Sequence, residues 1–227
     1  MLPITIQPAP TDAYAALSRF HYRAGPPGVP VLTLTANDEL TREVVGVLVV
    51  SMPTLNGPWR RLAWPHLFPA GPRFLNKHVR TISRVVIDPR YRALGLARRL
   101  VRHYLDDPLT RCTEAVAAMG RCCPFFTRAG MREVQPPASR RDRALARTLA
   151  MLGLEPWELV ELSRTRSCLT ASPTLRAAVA AWAADSRATR RHDPANPDTL
   201  TQLCILGASS LTARPFAYVT PCHDHAA

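Results

Sequence analysis

The stretch from residue 79 to residue 107 constrains the fold more than any other part of the chain. It opens with VRTISRVVI (79–87), a β-branched and mostly apolar run that is typical of a buried strand. After the turn DPRYRALG, the residues LARRLVRHYLDD give a helix one apolar face, formed by Ala97, Leu100, Val101, Tyr104 and Leu105. A buried strand that passes directly into an amphipathic helix predicts a layered α/β fold.

Segments on both sides of this unit continue the alternation of strand and helix patterns. Strands are predicted at VLTLTA (31–36), VVGVLVVSM (44–52) and TEAVAAM (113–119), which are rich in apolar and β-branched residues. Helices are predicted at TDAYAALSRFHY (11–22) and PFFTRAGM (124–131), and the second opens with proline and ends near a glycine. The order strand, helix, strand, helix indicates an α/β sheet.

The composition changes near residue 138 and suggests three parts. Residues 1–137 carry the strand and helix patterns and include a segment rich in proline and tryptophan (53–72) that is predicted to be ordered but irregular. Residues 138–212 are rich in alanine, leucine and arginine with helical periodicity, so we expect a C-terminal helical lobe. Residues 213–227 would contribute a closing strand and a tail.

The charge of the chain indicates its partners. Of 29 basic residues only Lys77 is a lysine, and the formal net charge is +12 at pH 7. Because the arginine side chain matches phosphate and carboxylate groups, this excess favours a polyanion such as DNA, or a phosphate-bearing cofactor. A GC-rich coding bias explains arginine in place of lysine, but not the excess of bases over acids.

Composition also excludes several classes of protein. Apolar residues make up 47% and charged residues 20% of the 227 residues, which is typical of a soluble globular protein and not of a disordered one. The apolar runs are too short to cross a membrane and no secretory signal is visible, so we expect a cytoplasmic protein. The six cysteines are expected to be reduced, and no metal is predicted, although the tail holds Cys222, His223 and His225.

The turn between the strand and the helix is a candidate anion site. Gly95 at the helix start lets a phosphate approach the backbone, and the small side chain of Ala97 keeps the path clear. The unpaired amides of the first helical turn and the helix dipole both attract an anion there. Arg92 would add charge-assisted hydrogen bonds, and Arg90 is a secondary candidate.

Arg92, Gly95 and Ala97 match the pattern R/Q-x-x-G-x-G/A, the pyrophosphate loop of the GNAT family of acyl-CoA-dependent N-acyltransferases. The chain resembles this family over about residues 12–134, and PFFTRAGM is similar to a helix of that family. The resemblance implies a GNAT-like central mixed sheet flanked by helices. It also implies an acyl-CoA, such as acetyl-CoA, bound between the strands at 81–88 and 113–119.

The same resemblance implies roles for individual residues. A strand amide near Val86 would hold the oxyanion. Many members of the family carry a tyrosine that protonates the departing thiolate, and this chain has Phe126 at that position. The pyrophosphate would lie on four consecutive amides, those of Leu94, Gly95, Leu96 and Ala97.

A narrower resemblance rests on the segments FHYRAGPP, ISRVVIDPRYRALGLARRLV and EAVAAMGRCCPFFTRAGM. Together they are similar to the branch that contains phage Mom DNA-modification proteins and acetyltransferase-like domains fused to ABC-type ATPases. Mom members modify the exocyclic amine of adenine in DNA, so this resemblance implies DNA as an alternative acceptor. The chain has no G-x-x-x-x-G-K-[ST] motif, so no ATPase domain is predicted.

The branch resemblance directs attention to four candidate catalytic residues. Glu114 in an apolar strand is either functional, as a general base or a group that orients the amine, or a structural carboxylate paired with an arginine such as Arg84. His21 is either a base or a helix-end histidine bonded to the backbone. Tyr22 is a candidate for the missing acid, and Ser83 binds either the substrate or its neighbours in the sheet.

Three functions follow from these observations. The first is a GNAT-type acyltransferase that acts on an amine, and the second is a Mom-like enzyme that modifies adenine in DNA. The third is a basic binding module that kept the fold and lost catalysis, which agrees with Phe126. Trp59, Trp64 and Phe68 would either pack in the core or, in the DNA enzyme, stack on a flipped base.

Overall fold

The computed structural model describes residues 3–21, 25–120, 122–212 and 216–222. The contacts divide the chain into two compact units. One unit comprises residues 1–136 together with 215–227, and the other comprises residues 137–214. The first unit carries a β-sheet, whereas the second is helical.

In the described residues the first unit contains a seven-stranded sheet in the order β1-β2-β3-β4-β5-β7-β6. Its strands are β1 (Ile4–Ala9), β2 (Pro30–Asp38), β3 (Val44–Ser51), β4 (Val79–Ile87), β5 (Cys112–Ala117), β6 (Arg132–Val134) and β7 (Phe216–Val219). All neighbours are antiparallel except β4 and β5, which are parallel. This mixed sheet with its flanking helices confirms the predicted α/β class.

Helix packing covers one face of the sheet. The α-helices described in this unit are α1 (Arg60–Ala63), α2 (Pro72–His78), α3 (Leu96–Asp106) and α4 (Phe125–Arg128). α3 directs a buried stripe, Leu96, Leu100, Val101 and Tyr104, into one apolar cluster with residues of β2, β3, β4 and β5. The strand and helix predicted from residue 79 onward are therefore both present, and α3 holds the end of β4 against the core.

The short helix predicted at 11–22 is of the 3-10 type and is interrupted at Leu17. The chain forms two short 3-10 helices there, Thr11–Ala16 and Ser18–Phe20. Tyr14, Leu17 and Phe20 lie three residues apart, which is the period of a 3-10 helix and not the 3.6-residue period of an α-helix. Tyr14 and Leu17 are buried against Val47 and other residues on the face of the sheet opposite α3.

The second unit contains four α-helices in the described residues, with one 3-10 helix between the first two. They are α5 (Arg140–Met151), α6 (Leu162–Ala171), α7 (Pro173–Ala184) and α8 (Pro197–Thr212). All four contribute to one apolar cluster, which includes Leu149, Leu169, Trp182 and Leu203. Serine side chains cap the N-termini of α5 and α7, since Ser139 and Ser172 each accept a hydrogen bond from the amide three residues ahead. None of the described helices is long and apolar enough to span a membrane.

Candidate functional site

A gap opens in the middle of the sheet where β4 and β5 separate. The two strands pair only from Val79 to Ile82 on β4 and from Cys112 to Ala115 on β5. β5 pairs with β7 along its other edge from Glu114 to Ala117, and β4 continues to Ile87 with β3 as its described neighbour. The second half of β4 therefore presents one backbone edge to the gap, at the place where the resemblance predicts the acyl-CoA.

The alternation of the β3–β4 ladder decides which amides face the gap. The Asp88 amide donates to the Val45 carbonyl at 2.9 Å, so the backbone groups of Val86, two residues earlier, also point to β3. The amides of Val85 and Ile87 then point away from β3, into the gap. The Val86 amide itself belongs to the ladder, so the oxyanion donor that the resemblance implies near Val86 stays a prediction for the amides beside it.

The helix start at the end of the gap is open. Gly95 has φ +76°, a left-handed conformation that glycine tolerates, and apart from its adjoining chain no atom of the described residues lies within 4 Å of the position that a Cβ would take. The first helical bond runs from the Arg99 amide to the Gly95 carbonyl (3.1 Å), so the amides of residues 96–98 precede it. Leu94 is 56% exposed and leaves this surface uncovered. The structure therefore presents an open backbone turn that suits an anion.

Arg92 is the cation that accompanies this turn. Its Nε donates to the Ile87 carbonyl at 3.2 Å and its Nη2 donates to the Phe20 carbonyl at 3.3 Å. In the described part of the chain no carboxylate pairs with Arg92, so its charge is available to a ligand. His21 directly follows Phe20, which brings this candidate residue to the same end of β4.

Arg90, the secondary candidate, has a structural role. Its Nη2 lies 3.0 Å from both Asp88 Oδ2 and Glu43 Oε2. The Asp88 carboxylate also accepts the Arg90 amide at 2.9 Å, which caps the short 3-10 helix Pro89–Tyr91. The prediction that Arg90 binds the cofactor is therefore not favoured, because two carboxylates already neutralise its charge. Arg90 instead stabilises the turn that carries Arg92.

This turn predicts a pH-dependent stability. The side-chain and backbone hydrogen bonds from Arg90 hold the pKa of Asp88 below its usual value of about 4. A carboxyl with a lowered pKa stabilises the fold above about pH 4, and this stabilisation is lost as the pH falls through the lower, folded value. We expect Asp88→Ala to cost about 0.5–2 kcal/mol at neutral pH, the range for a lost cap. Urea unfolding over a pH series should show this difference shrinking in acid, and a pH-independent difference would contradict the coupling.

Glu114 is buried and fully hydrogen-bonded. It is 1% exposed, and its partner Arg60 is 3% exposed. Arg60 Nε and Nη2 donate to Glu114 Oε2 (2.8 Å) and Oε1 (2.6 Å), the Trp59 indole donates to Oε2 (2.8 Å), and the Thr81 hydroxyl donates to Oε1 (2.9 Å). Both oxygens are thus occupied by donors, and the geometry favours the structural interpretation over the general base. The partner is Arg60, however, and not Arg84.

The sequence patterns do not identify Trp59 and Arg60 as partners of Glu114. The segment 53–72 does contain one signal, because Gly57 is followed closely by Trp59 and Arg60. A Cβ on Gly57 would lie 2.6 Å from Arg60 Cζ, so a side chain at residue 57 would displace the guanidinium from its position beside Glu114. The two residues fasten the irregular segment to β5.

Two other candidates have different outcomes. The Ser83 hydroxyl lies 2.7 Å from the Ser51 hydroxyl and donates to the Val49 carbonyl at 3.2 Å. Ser83 thus bonds its neighbours in the sheet, as one of the two interpretations expected. Tyr22 lies outside the described residues, as do His223 and His225 of the tail.

The aromatic side chains near the site pack in the core. Phe126 is buried and stacks on Tyr218, with ring centroids 5.1 Å apart, and its hydrocarbon ring has no proton to donate. Trp64 is 2% exposed and its indole donates to the Thr220 carbonyl at 2.9 Å. Phe68 packs against the apolar cluster that contains Trp64. Trp64 is therefore not available to stack on a base unless the core opens.

The cysteines are free thiols in the structure. Cys112, Cys168 and Cys204 are buried, and the Cys112 thiol donates to Cys222 Sγ at 3.0 Å. Burial and the adjacent Cys222 raise the pKa of Cys112 far above its usual value, which makes it an unreactive thiol. Among the described residues no group of three or more His, Cys, Asp or Glu side chains is placed to hold a metal ion.

No protein-family model and no curated protein matches the chain. Several solved structures are similar to it. The GNAT family N-acetyltransferase YhbS from Escherichia coli, in complex with CoA, is 19% identical over 58% of this chain and 70% of that chain, with a TM-score of 0.40. The IAA acetyltransferase from Bacillus cereus is 16% identical over 57% and 77%, with a TM-score of 0.36. Arabidopsis thaliana NAA60, in complex with acetyl-CoA, is 14% identical over 58% and 86%, with a TM-score of 0.38.

Proposed function

We propose that the chain is an acyltransferase that moves an acyl group from acyl-CoA, such as acetyl-CoA, to an amine. The observation that carries this proposal is the meeting of two features at the end of β4. The amides of Val85 and Ile87 face the gap, and the open turn at Gly95 with Arg92 lies where β4 passes into α3. An elongated ligand with a diphosphate at one end and amide groups along its length suits such an arrangement.

The described residues supply donors for both ends of such a ligand. The amides of residues 96–98 and the Arg92 guanidinium would hold the diphosphate, and the amides of Val85 and Ile87 would donate to the carbonyl oxygens of the acyl arm. A bound acyl-CoA supplies a thioester, from which transfer breaks the C–S bond, forms a C–N bond and passes one proton from the amine to the leaving thiolate. His21, next to the Phe20–Arg92 contact, is the proposed group that accepts the amine proton.

Calorimetric titration tests the proposal directly. We expect acetyl-CoA and CoA each to bind saturably with one site per chain. We also expect thiol release from acetyl-CoA to depend on both the protein and an added amine. The absence of binding heat for both ligands at high protein concentration would count against the acyltransferase.

A binding module that holds acyl-CoA without transferring the acyl group is the second candidate. Two observations favour it, namely that both oxygens of Glu114 are occupied by donors and that Phe126 replaces the tyrosine of the resembled family. A single-turnover experiment with protein in excess over acetyl-CoA separates the two functions. The enzyme is expected to release the CoA thiol when amine is added, whereas the module binds acetyl-CoA and leaves it intact.

Modification of adenine in DNA is the narrower form of the proposal. The net charge of +12 supports a polyanionic acceptor. Mass spectrometry of nucleosides from cells that express the protein tests it, and an unmodified adenine pool would argue against DNA as the acceptor.

A further inference from the structure

Arg84 extends from β4 on the face of the sheet opposite α3. It lies across from Val49 in the β3–β4 register, and Val49 packs with Tyr14 and Leu17 on that face. The next residue, Val85, has the amide that faces the gap. Arg84 is therefore adjacent in sequence to the proposed position of the acyl group. Its side chain leaves the strand on the face opposite α3 and does not enter the gap.

The Arg84 guanidinium is buried without a counter-charge. The residue is 7% exposed, and its donors reach only backbone carbonyls, at Ser83 (2.8 Å), Pro26 (3.0 Å) and Gly25 (3.5 Å). Within the described ranges its Nε has no hydrogen-bond partner. Among the described residues no carboxylate forms an ion pair with it. A buried guanidinium that no carboxylate neutralises is destabilising, so an anion from outside the chain would stabilise it.

Arg60 shows how the same fold treats a purely structural buried arginine. Arg60 is 3% exposed and Arg84 is 7% exposed, so both are buried. Arg60, however, donates two hydrogen bonds to the Glu114 carboxylate. Arg84 receives no such carboxylate. A second polar group on the same face also lacks a partner, because Thr33 pairs with Val49 from the other side and its buried hydroxyl has no hydrogen bond. The two groups flank Val49, and both are donors that an anion accepts from.

We propose that Arg84 binds a carboxylate or phosphate group of the acceptor, so that the acceptor is an amine that also carries an anion. This inference rests on the proposed acyl transfer. The donor is assigned to the gap and the turn at Gly95, and α3 with its cluster fills one face of the sheet. An acceptor would then approach the thioester from the other face, where the Arg84 side chain lies beside the layer that Tyr14 and Leu17 form on Val47 and Val49. Arg84 would position the amine by holding the charge at its opposite end.

Anion binding can be measured without any catalysis. Thermal unfolding is followed in chloride, acetate and inorganic phosphate at constant ionic strength, for the wild type and for Arg84→Gln, Arg84→Lys and Arg92→Gln. We expect saturable stabilisation by acetate or by phosphate, which identifies a carboxylate or a phosphate acceptor respectively. Because inorganic phosphate can also bind at the turn beside Arg92, the Arg84 site is read from the stabilisation that Arg92→Gln retains. Arg84→Gln should abolish that part, and Arg84→Lys should weaken it while keeping some of it.

Two results would overturn the inference. One is that neither anion stabilises the wild type beyond chloride, and the other is that Arg84→Gln responds like the wild type. Circular dichroism shows whether each variant is folded. If Arg84→Gln does not fold, Arg84→Lys decides, since an unchanged anion affinity in that variant would contradict a site built around the guanidinium.

Transfer assays then compare amines that differ only in the anion. The pairs are β-alanine with its amide and phosphoethanolamine with ethanolamine. We expect kcat/KM to favour the anionic member by about tenfold or more, and Arg84→Gln to remove this preference through KM while the affinity for acetyl-CoA stays unchanged. Equal use of both members would overturn the inference and leave acyl transfer standing. Loss of acetyl-CoA binding in the wild type, with anion stabilisation that depends on Arg84, would instead refute acyl transfer alone.

Discussion

Replacing Glu114 by alanine is expected to lower the free energy of unfolding by about 3–5 kcal/mol, the usual cost of removing one partner of a buried ion pair. The variant leaves Arg60, which is 3% exposed, without a counter-charge. The Trp59 indole and the Thr81 hydroxyl lose their acceptor as well. Urea unfolding followed by tryptophan fluorescence measures the change, and the loss should appear as a lower midpoint with an unchanged slope.

The matched control removes both charges. Glu114→Leu combined with Arg60→Met is expected to cost less than the sum of the two single changes, because no unpaired charge remains. A cost below about 1 kcal/mol for Glu114→Ala, which is typical of an exposed pair, would contradict the buried arrangement. The acetyl-CoA affinity of folded Glu114→Ala should stay near that of the wild type, since Glu114 is directed to Arg60 and not to the turn at Gly95.

The Glu114 pair illustrates what sequence patterns can and cannot predict. A carboxylate inside an apolar strand is recognisable as costly, so Glu114 is identified correctly as a residue that needs a partner or a function. Its partner lies 54 residues earlier in the chain, in a segment without periodicity. Hydrophobic patterns report which face of an element is buried, but they carry no information on which distant side chain meets it.

Local elements are predicted best where the pattern is long and its ends are marked. β4 ends at Ile87, directly before the Asp88–Pro89 pair, and α3 begins directly after Gly95. β1 and β6 are not predicted, since β1 contains a proline and β6 has only 3 residues. Their strand character comes from pairing with β2 and β7, which is a tertiary effect.

The direction of the β4 amides could not be predicted from the sequence for a similar reason. The register shifts between Val49 and Val50, where β4 carries an extra residue opposite β3. One extra residue reverses which amides point to β3 in everything that follows, so the Val86 amide lies in the ladder and those of Val85 and Ile87 face the gap. The same irregularity lies beside Ser83 and Arg84, and it leads into the half of β4 that faces the gap.

The second large effect is expected at Arg92. Arg92→Ala should weaken the binding of CoA by about 1–3 kcal/mol, which corresponds to a fivefold to 150-fold rise in Kd. The guanidinium bonds only to the carbonyls of Ile87 and Phe20, so its loss removes a charge that no carboxylate in the described residues neutralises. Calorimetric titration of CoA into both proteins measures the difference.

Two controls make the Arg92 result specific to the diphosphate. Arg102→Ala removes an equal charge from α3, the helix that follows the Arg92 turn, where Arg102 pairs with Asp106 at 2.8 Å, and it should leave the CoA affinity unchanged. S-acetyl-pantetheine has the thioester arm but no diphosphate, so its weaker binding should be the same in the wild type and in Arg92→Ala. If Arg92→Ala binds CoA as tightly as the wild type, the phosphates lie elsewhere. If it weakens acetyl-pantetheine equally, Arg92 contacts the arm or supports the fold, and the open turn at Gly95 is not the diphosphate site.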